Sequence, residues 1–81
     1  MVNMEESAAN LFNPDVLREL VTMEMPFGKY KGRVLYELPV SYVEWLYRNG
    51  LPEGKLGMLL GTLYEIKING LEHLLYKLVN K

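Results

Sequence analysis

From Leu56 to Val79 the apolar residues recur at helical spacing, and this pattern commits nearly a third of the chain before any other residue is read. Leu56, Leu59, Leu60, Leu63 and Ile66 fall every three or four residues. Asn69-Gly70 then interrupts, and Leu71, Leu74, Leu75, Leu78 and Val79 repeat the core-face pattern of a second amphipathic helix. A chain of 81 residues has room for one domain with one core. Size scaling gives such a chain a buried fraction of roughly 63%, enough for an independent but modest core.

Upstream, Asn13-Pro14-Asp15 combines an N-cap, a proline suited to the first helical position and an acid at the positive helix end. A helix is predicted from there to about Met23, with Val16, Leu17, Leu20 and Val21 as its apolar stripe and Phe12 stapled onto Leu17. Ser41 and Glu44 have the spacing of a capping box, and Val40 and Trp45 that of a staple, so another helix is predicted from Ser41 to the Asn49-Gly50 stop. Tyr42, Trp45 and Tyr47 have apolar neighbours and are expected in or near the core. Pro52 marks the start of the next helix, which runs to Ile68.

Residues 24 to 38 differ in character. Gly28 and Gly32 bracket Lys29-Tyr30-Lys31, with Met25 and Phe27 before and Val34, Leu35 and Leu38 after. This predicts a short β-hairpin with a five-residue glycine-flanked loop. The fold class expected is therefore α+β and mainly helical, a short hairpin packed with about four helices. Residues 1–12 are expected to be a flexible N-terminal arm and 13–81 a single domain.

Composition narrows the function. The chain is 49% hydrophobic and 23% charged, outside the disordered regime, and its net charge of −1 excludes a generally basic nucleic-acid binder. It contains no cysteine, hence no disulfide framework, zinc-finger ligand set or thiol nucleophile. The first twelve residues carry Glu5 and Glu6 but no Lys or Arg and no apolar run, so they do not read as a signal peptide. No uninterrupted apolar stretch is long enough to span a bilayer. A soluble cytoplasmic protein without membrane contact is the expectation.

The charges are segregated. Residues 1–24 carry five acids against Arg18, whereas Lys29, Lys31 and Arg33 form a local cationic cluster with no acid between Met25 and Tyr36. Lysines can contact phosphate, glycine admits a close backbone approach and Tyr30 can stack on an unpaired base. Lys29, Tyr30, Lys31 and Arg33 are thus the candidate nucleic-acid contacts, for DNA or RNA. The competing reading is a solvated turn whose lysines keep an exposed edge soluble. The loop has neither the Lys-Ser/Thr ending of a Walker loop nor a dinucleotide fingerprint.

Gly54, Gly57 and Gly61 share one helix face, and interior glycines cost helix stability, so a close backbone, a large ring such as Trp45 or a second copy of the chain is expected against them. They form the candidate protein interface. No nucleophile-and-base motif is present, since Ser41 is assigned to capping and the hydroxyls are few. His73 is the single histidine, beside Glu72 on the polar side of the last helix, and Glu65 and Glu72 do not have metal-ligand spacing. No metal, cofactor or small-molecule substrate is expected.

The run Met25-Pro26-Phe27-Gly28-Lys29-Tyr30-Lys31-Gly32 resembles a small bacterial family of unknown function named for putative quorum-sensing-regulated virulence factors. Leu38-Pro39, Tyr42, Trp45, Gly50-Leu51-Pro52, Gly54-Lys55-Leu56-Gly57, Tyr64-Glu65-Ile66-Lys67 and Asn69-Gly70-Leu71-Glu72 continue the resemblance in order. Phe27 through Trp45 is also similar to the short accessory region of exodeoxyribonuclease-X-type exonucleases, which implies an association with DNA processing. Neither resemblance implies catalytic residues here, because those exonucleases carry their metal-binding acids in a separate domain. The residues and the resemblance together point to a non-enzymatic adaptor or regulatory domain whose basic loop contacts nucleic acid. The alternative is a protein-interaction module, in the form of a homodimer or with another protein, that binds no nucleic acid.

Overall fold

The computed structural model describes residues 13–79, which form four α-helices and one 3₁₀ turn. Helix α1 spans Pro14–Thr22, the 3₁₀ turn Leu35–Glu37, α2 Val40–Asn49, α3 Gly54–Ile68 and α4 His73–Val79. The arm expected over residues 1–12, and with it the Phe12 staple, lies outside the described residues.

Helix α1 starts where its cap requires. Asn13 Oδ1 accepts the Asp15 N–H at 2.9 Å and the Val16 N–H at 3.3 Å, satisfying two amide groups that the first turn leaves unpaired. Its buried side is Val16 and Leu20. Helix α3 is the centre of the fold: Gly57, Leu59, Leu60, Gly61, Thr62, Leu63 and Ile66 are all buried, so it is covered on most sides. Thr62 tolerates this burial because its hydroxyl donates to the Met58 carbonyl at 2.9 Å. Helix α2, α1 and the 3₁₀ turn pack on α3, while α4 packs on α1. Met25, Leu35, Leu38, Val43, Leu46 and Leu75 complete the one buried cluster.

The predicted hairpin does not form. Among the described residues there is no strand or sheet, only an isolated antiparallel bridge between Glu24 and Val34. The chain still doubles back: Met25 N–H donates to Arg33 O at 2.7 Å, Gly32 N–H to Met25 O at 2.8 Å and Leu35 N–H to Met23 O at 2.9 Å. The ladder cannot lengthen because α1 ends at Thr22, Pro26 has no N–H to donate, and Leu35 enters the 3₁₀ turn. The class is therefore mainly α-helical, and the excursion is a loop closed by one bridge.

The second capping assignment also fails. Helix α2 begins at Val40 with Pro39 as its N-cap, and no side chain caps it. The Pro39 carbonyl accepts from Tyr42 at 3.0 Å and Val43 at 3.1 Å, leaving Ser41 inside the first turn, too late to act as a cap. Leu38, which precedes this proline, is extended at φ −63° and ψ 135°, and so separates the 3₁₀ turn from α2. The helix still stops as expected: the Asn49 side-chain amide donates to Trp45 O at 2.8 Å, just before Gly50.

Gly57 explains why a glycine stands inside the central helix. A Cβ there would lie 1.8 Å from the Pro52 carbonyl oxygen, so the Leu51-Pro52 turn can cross α3 only over a bare Cα. At Gly61 a Cβ would lie 3.3 Å from Leu51 Cδ1. The close approach expected on this face thus comes from Leu51 and Pro52 of the same chain rather than from Trp45. Among the described residues no helix is long and apolar enough to cross a membrane.

Candidate nucleic-acid interface

The loop from Met25 to Val34 carries the cationic cluster on a defined backbone. Lys31 N–H donates to Gly28 O at 3.2 Å and Arg33 N–H to Tyr30 O at 3.0 Å, so the tip is two successive tight turns. Gly28 adopts φ 79°, and a Cβ there would come within 3.0 Å of Tyr42 Oη, so glycine is needed both for the turn and for contact with α2. Lys29, Lys31 and Arg33 are exposed. Among the described residues the ion pairs are Asp15 with Arg18, Glu44 with Arg48 and Glu19 with Lys55, none of which uses a loop cation. Glu24 and Glu37, both exposed, flank the loop and bound its positive surface.

Tyr30 is placed differently from its sequence assignment. It is half-buried against the core, and its ring meets the Tyr42 ring edge-on with centroids 4.7 Å apart. Lys29 Nζ lies 5.5 Å from the Tyr30 ring centroid, within cation–π range. Tyr30 therefore anchors the loop to α2 instead of projecting from its tip.

Among the described residues the exposed aromatics are Phe27, Trp45, Tyr47 and Tyr76, of which Phe27 belongs to the loop and Trp45 neighbours Tyr42. Trp45, expected in or near the core, is 57% exposed, and Phe27 is 44% exposed. Trp45 lies nearly parallel to Tyr42, with 14° between the planes and 6.3 Å between the centroids. A helical wheel contains the signal for this exposure. Val43 and Leu46 are the buried positions of α2, and Trp45 stands about 200° around the helix from Val43 and about 100° from Leu46. Tyr42 is half-buried, and Tyr47 stacks at 4.0 Å on Tyr64 of α3, fixing α2 to α3 at the rim of the core.

The remaining candidates separate from this region. Gly57 and Gly61 are buried beneath Leu51 and Pro52, and Gly54 sits exposed at the start of α3. His73 is exposed. Burial lowers the pKa of the Lys67 ammonium from its usual 10.5, and the Glu72 carboxylate partly opposes this. Among the described residues no three His, Cys, Asp or Glu side chains gather to hold a metal ion.

Comparison with known proteins gives the chain relatives. It is 46% identical over 63 residues to "Uncharacterized protein YpeB" of Escherichia coli strain K12, covering 76% of this chain and 88% of that protein. The same values hold for the protein of that name in Escherichia coli O157:H7. No solved structure gives a significant match. A family model matches residues 13–78, which takes in α1, the basic loop, α2, α3 and all but the last residue of α4. The chain therefore belongs to the family described as "Putative quorum-sensing-regulated virulence factor".

Proposed function

We propose that the chain is a non-enzymatic adaptor that contacts nucleic acid through Lys29, Lys31 and Arg33. The observation that supports this reading best is the exposed cationic loop, without ion-pair partners among the described residues and anchored to α2 through Tyr30 and Tyr42. Three cations make a weak site by themselves. With three phosphates neutralised, affinity falls roughly 40-fold for duplex and roughly 20-fold for single strands between about 50 and 200 mM salt. Such a module works as one contact among several, where tethering raises the local concentration of the strand.

The test is fluorescence anisotropy of labelled single-stranded DNA, duplex DNA and RNA across salt, with Lys29→Glu/Lys31→Glu as the comparison. A salt-dependent signal abolished by the double reversal is expected. Absence of binding at low salt refutes the reading.

A second reading, a protein-interaction module with no nucleic-acid contact, draws on Tyr76 and Val79. They stand one turn apart on α4 and are 50% and 42% exposed. Light scattering and concentration-dependent melting test its homodimer form.

A further inference from the structure

Tryptophan is seldom left mostly open to solvent in a small domain, because its ring is among the largest apolar surfaces available to the core. Here the single Trp of the chain is 57% exposed, while Val43 and Leu46 of the same helix are buried. It also neighbours a row of rings. Tyr42 lies nearly parallel to it at 6.3 Å and meets Tyr30 edge-on at 4.7 Å. Gly28 of the loop abuts the Tyr42 hydroxyl. Tyr42 thus links the open indole, through Tyr30, to Lys29 and the loop that carries the cations.

We propose that Trp45 is a base-stacking platform and that the ligand of this surface is single-stranded nucleic acid, a proposal that rests on the loop reading above. The chemistry selects the strand type. A polyanion is required by Lys29, Lys31 and Arg33, and an aromatic face must be offered to the indole. In a duplex the base faces are buried in the stack, and only edges, sugars and phosphates remain accessible. A single strand supplies phosphates and free base faces together. Phe27, exposed beside Gly28, provides a second apolar contact for the same strand.

The sole Trp makes the test direct. The full chain is titrated with oligothymidylate, with a duplex of mixed sequence and with poly-glutamate, following Trp45 emission, and anisotropy of labelled oligothymidylate is read for Trp45→Ala and Trp45→Phe. Circular dichroism confirms that the variants are folded. Oligothymidylate should quench the emission and bind more tightly than duplex. Trp45→Ala should weaken it by roughly 5- to 150-fold with little change in salt slope, and Trp45→Phe should keep part of the affinity. Equal affinity for duplex and single strand, with Trp45→Ala unchanged, overturns the proposal while leaving the loop reading intact if Lys29→Glu/Lys31→Glu still abolishes binding. Quenching by poly-glutamate as strong as by oligothymidylate also overturns it, in favour of an acidic protein partner. Failure of every nucleic acid to bind removes both the proposal and the loop reading.

Discussion

Replacing Gly57 by alanine would test the packing of α3 where it is least forgiving. The new Cβ would lie 1.8 Å from the Pro52 carbonyl oxygen, against 3.4 Å where ordinary contact begins, a shortfall of 1.6 Å (3.4 minus 1.8). The obstacle is backbone, in a turn stiffened by a proline ring, and it cannot rotate aside as a side chain could. Overpacking of this kind costs about 1–3 kcal/mol, while the better helix propensity of alanine returns up to about 1 kcal/mol. The net expectation is a loss of about 1–2 kcal/mol, which in a domain of this size lowers Tm by about 5–15 °C. Gly61→Ala is the control. Its Cβ would meet Leu51 Cδ1 at 3.3 Å, and that is the end of a flexible side chain. It should be neutral or slightly stabilising. Urea and thermal unfolding followed by the helical circular dichroism signal measure both. If Gly57→Ala is as stable as the parent, or Gly61→Ala is the more damaging, the crossing of Leu51-Pro52 over α3 is not what makes glycine necessary. A seam with a second copy would instead make both substitutions costly and the melting temperature dependent on protein concentration.

Asn13→Ala should cost about 1 kcal/mol in urea unfolding, because two α1 amide groups lose their acceptor. Ser41→Ala should stay within about 0.5 kcal/mol, since Ser41 is exposed and caps nothing. Tyr42→Ala should speed amide hydrogen exchange at residues 28–33 more than in α3, because Tyr42 is the contact between loop and helix. Lys67 gives a pH-dependent prediction. Its folded pKa is lowered, chiefly by burial, so between that value and 10.5 the unfolded chain holds a proton that the folded chain has released. Stability from this group therefore rises with pH through that window and is lost as pH falls below it. The stability advantage of Lys67→Met over the parent should shrink as pH rises toward 10.5, read by urea unfolding of both proteins at each pH.

Much of the fold is legible where local chemistry and burial agree. Asn13-Pro14, the Asn49-Gly50 stop, the Asn69-Gly70 interruption and the leucine spacing of α3 each follow from residues within one or two turns. The misreadings share a different cause, in that the neighbouring element decides them. Flanking apolar residues and bracketing glycines satisfy a hairpin pattern, but α1, Pro26 and the 3₁₀ turn leave space for a single bridge. Ser41 and Glu44 satisfy a capping pattern, but Pro39 starts the helix two residues before Ser41. The apolar neighbours of Trp45 suggest burial, but its angle around α2 from Val43 is the better guide. At the candidate interface, Lys29, Lys31 and Arg33 are exposed as the glycine-flanked sequence suggests, whereas the half-buried placement of Tyr30 depends on the contact between the loop and α2, which no local pattern encodes.

The most direct measurement of the central claim is an amide and indole NMR titration of the full chain with oligothymidylate at low salt. The account predicts that the shifts concentrate at residues 27–34 and at the Trp45 indole N–H, with α4 little affected. Shifts centred on Tyr76 and Val79, or none anywhere at saturating strand concentration, would contradict it.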